Sequence, residues 1–231
     1  MRRMRLNSPQ LLLLGLVSVL AYSCGDEGGS GAPTGQDGND VPPCDELGVF
    51  TEADINDKLT PDVDAAIGVF SGGGGLISEF VGDADEKRDG VSMRTTVTVS
   101  GIQWAGWFIQ AGTFQQGNVT KNMSFAEGGA LQFWVKTPIN LEVGIRSNDV
   151  TAGLERSKVL LSTYGVLLND VWQEVRIPIG DLVGTSANRR ADLKQMKVLF
   201  VVASNLVSGG TGGRPVIFWI DDVRWRSSGC G

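Results

Sequence analysis

Gln132, Trp134, Glu142, Arg146, Trp172 and Arg176 are the side chains whose types and spacing best suit binding chemistry. An indole offers a flat apolar surface with a polar N–H edge. Guanidinium, carboxylate and carboxamide groups add directional hydrogen bonds. Four of the six lie in Ala130–Asp149, ALQFWVKTPINLEVGIRSND. There Leu131, Phe133 and Val135 alternate with Gln132, Trp134 and Lys136, and Leu141, Val143 and Ile145 alternate with Glu142, Gly144 and Arg146. Successive strand side chains point to opposite faces, so each run has one apolar and one mostly polar face. Thr137-Pro138-Ile139-Asn140 lies between them and reads as a reversal, because proline cannot donate to a ladder and Asn tolerates turns. The pattern predicts an antiparallel hairpin. Either that hairpin is purely structural, or its polar face, with Trp134, Glu142 and Arg146, meets a ligand. Trp172 and Arg176 come from Val171–Ile179, in which Val175, Ile177 and Ile179 share one face and Trp172, Glu174 and Arg176 the other.

Histidine is absent from the 231 residues. That excludes Ser-His-Asp and Cys-His catalysis and removes the commonest ligand for zinc, copper and iron. A metal here would be a hard cation held by oxygen, such as calcium. Gly72–Gly75, GGGG, raises the question of a phosphate loop, but the Lys-Ser/Thr that a nucleotide loop needs is missing. A turn or bulge fits better. The net charge is −6, with no long basic run beyond the N-terminus, so no nucleic-acid partner is expected. With 32 glycines, strands and turns are favoured over helices.

Met1–Tyr22 reads as a targeting segment: Arg2, Arg3 and Arg5 precede the apolar Leu11–Leu20, too short to span a bilayer as a helix. Ala21-Tyr22-Ser23-Cys24 resembles a bacterial lipoprotein signal, residues 1–23, with Cys24 lipidated; Tyr22 fits that pattern imperfectly. Simple secretion with a leftover cysteine is the alternative. Residues 24–43 are glycine-rich and nearly devoid of apolar side chains, as in a flexible tether. The domain proper spans 44–231. With Cys24 used for lipid, Cys44 and Cys230 form an even pair, and we expect a disulfide that brings the two ends together. Closing so long a loop contributes roughly 4–5 kcal/mol in the chain-entropy model.

Thr51–Leu59 reads as a turn or two of helix. Strands are expected over Ile67–Phe70, Leu76–Phe80, Val91–Ser100, Gly101–Thr113, Val171–Ile179, Lys197–Ala203 and Val216–Trp225, besides the central pair. Gly82–Gly90 reads as a charged loop, Gln115–Glu127 as a loop, Ser208–Arg214 as a glycine turn, and Asp181–Leu193 as a loop or short helix. Lys197–Ala203, KVLFVVA, is apolar on both faces and so lies centrally in its sheet. Of Trp104 and Trp107, one facing solvent would be a sugar-stacking candidate. Roughly eight to ten short strands predict an all-β sandwich.

The order LQFWVK, LEVGI, WQEVRIPIGDL, KVLFVV, VIFWIDDVRW resembles the β-jelly-roll carbohydrate-binding modules of the galactose-binding-like superfamily. The likeness covers about Val69–Trp225 and is strongest from Leu131 onward. It implies two packed antiparallel sheets and a polysaccharide bound across one face, by the six residues named first. It also implies a structural calcium: Asp221 matches the first acid of the closing IDD-type strand, with Glu79, Asp89 and Gly90 the nearest partners. A solvated strand end is the alternative reading of Asp221.

The leading expectation is therefore a non-catalytic, monomeric glycan-binding lipoprotein. Its only membrane attachment would be a lipid anchor, at the outer membrane or cell surface. One rival is a jelly-roll polysaccharide lyase or glycosidase. The lyase would need a base, and Tyr164 is the one tyrosine left after processing; the glycosidase would need paired acids, such as Glu142 and Glu174, which no motif supports. The other is a structural or adhesive lipoprotein without a sugar site.

Overall fold

A computed structural model of the chain describes residues 43–50, 65–72, 76–81, 90–97, 104–112, 119–148, 157–184, 191–204 and 215–230. The signal segment, Cys24, the tether up to residue 42, the Thr51–Leu59 turn, Asp89 and the Ser208–Arg214 turn lie outside them. Eleven strands are described: β1 Glu46–Phe50, β2 Ala65–Gly72, β3 Leu76–Val81, β4 Ser92–Val97, β5 Trp104–Ala111, β6 Ala130–Thr137, β7 Leu141–Ser147, β8 Ser157–Leu160, β9 Asn169–Pro178, β10 Met196–Ser204 and β11 Val216–Arg226. One short helix, α1 Ile179–Val183, follows β9.

Two antiparallel sheets form, as expected of the jelly-roll sandwich. One runs β3-β4-β11-β6-β9 with β1 also on β11; the other runs β2-β5-β10-β7-β8. β10 is central in its sheet, as its two apolar faces predicted. First and last strands pair, Glu46 opposite Arg226, and the Cys44–Cys230 disulfide forms beside them with Cα atoms 4.5 Å apart.

The central stretch corrects one expectation. Both runs bury the predicted side chains, with Leu131, Phe133, Val135, Leu141, Val143 and Ile145 all in the core. Yet β6 and β7 are not a hairpin. β6 pairs with β11 and β9, whereas β7 pairs with β10 and β8 in the other sheet. The reversal crosses the sandwich. Thr137 Oγ1 donates to the Ile139 carbonyl at 2.7 Å, and Asn140 bonds Ser162 through Nδ2 and Oδ1. The alternation misled because two facing sheets bury into one core and impose the same period.

Indoles tie the layers together. Trp107 of β5 donates to Thr95 Oγ1 of β4 at 2.9 Å, and Trp225 of β11 donates to the Leu199 carbonyl of β10 at 2.9 Å. Phe200 fills the space between, its ring 5.3 Å from both Trp107 and Phe133. Each buried N–H thus has a partner, which removes the desolvation cost of an unsatisfied donor.

Candidate functional site

The outward face of the five-stranded sheet can be read from its cross-strand pairs, since residues opposite each other share a face. One row is Ala66, Gln110, Val198 and Arg146; the next is Gly68, Phe108, Val201, Gly144 and Lys158; the next is Phe70, Gly106, Ala203, Glu142 and Leu160. Trp104 opposite Gly72 begins a fourth. Small residues in the middle rows leave a shallow floor. A depression of about 220 Å3 opens there, lined chiefly by Phe70, Trp104, Phe108, Gln110, Arg146 and Lys197.

Its aromatic wall is a stripe. Trp104 is 46% exposed, whereas Trp107 is fully buried, so one of the two tryptophans does face solvent. The Phe70 ring lies 5.7 Å from Trp104 and 6.3 Å from Phe108, tilted only 25° from the latter. The rings lie low because of what stands opposite. Gly68 pairs with Phe108, and Gly106 pairs with Phe70. A Cβ on Gly68 would stand 2.3 Å from Phe108 Cζ, and one on Gly106 would stand 2.8 Å from Phe70 Cζ. Each phenyl ring covers the glycine of the other strand, a cross-strand arrangement that fills the space a missing side chain leaves. Gly68-Val69-Phe70 and Gly106-Trp107-Phe108 are the same pattern written twice, and that doublet is the signal that points to Phe70 and Phe108.

A β-bulge shapes the other wall. Along β7 the partners step from Ser147 to Arg146, while β10 advances from Met196 to Val198. Lys197 is the extra residue, and both Lys197 and Val198 line the depression. Bulges often re-aim side chains beside functional sites. Lys158 on β8 pairs with Glu142 at 2.7 Å.

The six side chains picked out from the sequence do not form one site. Glu142 and Arg146 belong to this face. Gln132, Trp134, Trp172 and Arg176 belong to the outward side of the six-stranded sheet, because β6 and β9 lie there. The expectation that Trp134 shares a face with Glu142 and Arg146 is corrected by the same sandwich crossing. On that second side the polar groups bond one another. Gln132 donates to Glu174 and accepts from Arg226 at 2.7 Å, and Arg176 donates to the Cys230 carbonyl at 2.6 Å. Arg224 bridges Glu46 and Asp222, each at 2.6 Å; burial works against its charge, but the two carboxylates outweigh it and raise its pKa. Glu142 and Glu174, the pair considered for a glycosidase, lie on different sheets and so do not face each other across one cleft. Tyr164 donates to Asp181 Oδ2 at 2.8 Å, and burial together with that carboxylate pushes its pKa up to about 12.

Asp221 is fully buried and so is not a solvated strand end. It sits at a bulge in β11, followed by Asp222 with φ +51°, and accepts from Ser92 Oγ at 3.0 Å. Gly90 is a left-handed turn residue two positions before Ser92, and Glu79 stands opposite Arg94 in β3. Among the described residues no group of three or more His, Cys, Asp or Glu side chains is placed to hold a metal ion. Among the described residues, Asp221 is the buried carboxylate there.

The sequence profile of carbohydrate binding domain 30 matches residues 71–227, more than half of the chain. The chain belongs to the carbohydrate binding domain 30 family. Trp104, Phe108, Gln110, Arg146 and Lys197 all fall inside the matched span. A solved family 30 carbohydrate binding module has a similar structure: TM-score 0.55 at 20% identity, covering 79% of this chain and 87% of that one. A family 11 carbohydrate-binding module from Clostridium thermocellum, solved with a β-1,3-1,4-mixed-linked tetrasaccharide, aligns at TM-score 0.46 and 12% identity over 78% of this chain and 94% of its own. No curated protein matches. This family 30 domain is thus a carbohydrate-binding jelly roll, and its floor and aromatic stripe lie on the five-stranded sheet.

Proposed function

We propose that the domain binds polysaccharide, without cleaving it, on the outward face of the five-stranded sheet. The observation that carries this is the aromatic stripe Trp104–Phe70–Phe108, with Trp104 exposed and the phenyl rings over the opposite glycines, on the face that also bears Gln110, Glu142 and Arg146. Aromatic faces stack on the C–H patches of pyranose rings, and the flanking polar groups bond their hydroxyls. The mixed-linked tetrasaccharide seen with the family 11 module is a reasonable first probe. Gln132, Trp134, Trp172 and Arg176 lie outside this site. The test is affinity electrophoresis of the purified domain against a polysaccharide panel, with Trp104→Ala as comparison. Retardation by at least one polysaccharide that W104A loses supports the reading; no retardation by any refutes it.

Two parts extend the proposal. The segment Ala21-Tyr22-Ser23-Cys24 supports display of the monomeric domain from an outer membrane or cell surface through a lipid on Cys24, with residues 25–43 as spacer. Mass spectrometry of the membrane-extracted protein tests this, because an unmodified Cys24 would rule it out. A structural calcium at Asp221 is supported by the burial of that carboxylate, with Glu79, Asp89 and Gly90 as the residues to complete the shell. The melting temperature should then rise with added calcium and fall with chelator; no change in either direction counts against it.

A further inference from the structure

We infer that Trp225, a core residue of the six-stranded sheet, is a positioning residue for the glycan face on the opposite sheet, acting through the Leu199 carbonyl. The inference rests on the glycan-binding reading above and adds to it a residue that lies outside the face. Leu199 and Phe200 follow each other in β10, and both are fully buried. Successive residues of a regular strand point to opposite faces, so two in a row on the core side require an irregularity. The registers locate it. β10 advances from Val198 to Phe200 while β5 steps only from Gln110 to Ile109. Against β7, β10 advances from Val198 to Val201 while its partners step only from Arg146 to Gly144. In both ladders one extra residue of β10 falls in this interval, and among the described residues Leu199 has no cross-strand partner in either.

That extra residue sets what the glycan meets. A slip of one position moves every side chain of a strand to the other face. Val202 lies inward, opposite the buried Trp107 and Val143. Counting back from it, a regular strand would place Phe200 and Val198 in the core and Leu199 on the face. The bulge instead keeps Leu199 in the core and turns Val198 out, opposite Gln110 and Arg146, where it lines the depression. A bulge disrupts the ladder around its extra residue. Here Trp225 reaches across from β11, and its indole N–H donates to the Leu199 carbonyl at 2.9 Å in the buried interior. Losing that donor would penalise the bulged register through an unsatisfied buried acceptor. Trp107 offers a comparison within the same core. Its indole N–H also crosses the layers, but it meets Thr95 Oγ1, in the regular pairings of β4.

The test is calorimetry of the full domain on a polysaccharide that the parent retards, for Trp225→Phe and Trp107→Phe, with melting curves. Each variant removes one buried indole N–H. Both should lower the melting temperature, but only W225F should weaken Kd, by about 2- to 13-fold, the range for one hydrogen bond. The backbone amides of Val198–Val201 should also exchange with solvent faster in W225F than in W107F. Should W225F not fold, benzothienylalanine at position 225 takes its place, since it keeps the shape of the indole and lacks the N–H. Unchanged affinity without that N–H, an equal loss of affinity in W107F, or exchange no faster than in W107F overturns the assignment while the glycan reading stands. A parent domain silent across the whole polysaccharide panel overturns the glycan reading and this inference with it.

Discussion

Replacing Gly68 by Ala tests whether the aromatic stripe works because the Phe108 ring sits close over the glycine opposite it. The new methyl would stand 2.3 Å from Phe108 Cζ and 2.6 Å from Cε1, whereas ordinary contact begins near 3.4 Å. The ring must retreat by the difference, about 1.1 Å, and the sheet lies beneath it, so it rises toward solvent. Gly68 does not have the positive φ that would strain alanine. In a strand interior alanine is favoured over glycine by roughly 0.5–1 kcal/mol. Displacing the ring from its rotamer costs roughly 0.5–1.5 kcal/mol. The two nearly cancel, so stability should stay within about 1 kcal/mol of the parent. Binding should not. Loss of one aromatic stack, worth about 0.5–1.5 kcal/mol, weakens Kd by about 2- to 13-fold. Gly106 would be a poor choice for this test, because its Cβ would stand 2.0 Å from the backbone oxygen of Val202 and disturb the fold. The assay is calorimetry on any glycan the parent domain binds, with melting curves, in a cycle with Phe108→Ala. If Gly68 acts through that ring, G68A changes nothing further once Phe108 is gone. Equal losses in the two backgrounds would refute the reasoning.

Three further predictions separate the face from the frame. Trp104→Ala should leave the melting temperature almost unchanged yet abolish glycan retardation. Trp107→Ala, which removes a fully buried indole and its bond to Thr95, should cost about 3–5 kcal/mol in denaturant titration; the reverse order would show that the two tryptophans have been assigned the wrong faces. Reducing Cys44–Cys230, which closes a separation of 186 residues, should cost roughly 2–5 kcal/mol in the same titration, and an unchanged midpoint would show that β1 needs no tether. Tyr164 is held at about 12 against the usual 10.0, first by burial and then by Asp181. Because the folded value is the higher, its contribution is full below pH 10 and lost as pH rises toward 12. Phenolate absorbance of the domain should therefore titrate late, Asp181→Asn should bring the midpoint down part of the way, and a midpoint of 10.0 in the parent would contradict the geometry.

What could be read in the chain depended on how far apart the interacting residues lie. Strand positions and inward faces were legible because a period of two is local: Leu131, Phe133 and Val135 announce their burial within six residues. The disulfide was legible by elimination, since assigning Cys24 to lipid leaves two cysteines. Which sheet a strand joins was not legible. Leu141–Ile145 has the same alternation whether it returns beside β6 or crosses to the facing layer, and that one ambiguity carried Glu142 and Arg146 to the far side from Trp134. Lys197 was read only as the first residue of a buried strand, because its place on the face depends on a bulge that only pairing with β7 creates. Phe70 and Phe108 lie between these extremes. The repeated Gly-x-Phe is visible in the sequence, but it acquires meaning only when β2 and β5 pair antiparallel with each glycine opposite the other strand's phenylalanine. The binding face is thus assembled from long-range register rather than from a motif. The family is accordingly written in the order of strand patterns, while the ligand depends on which side chains the registers bring into one row.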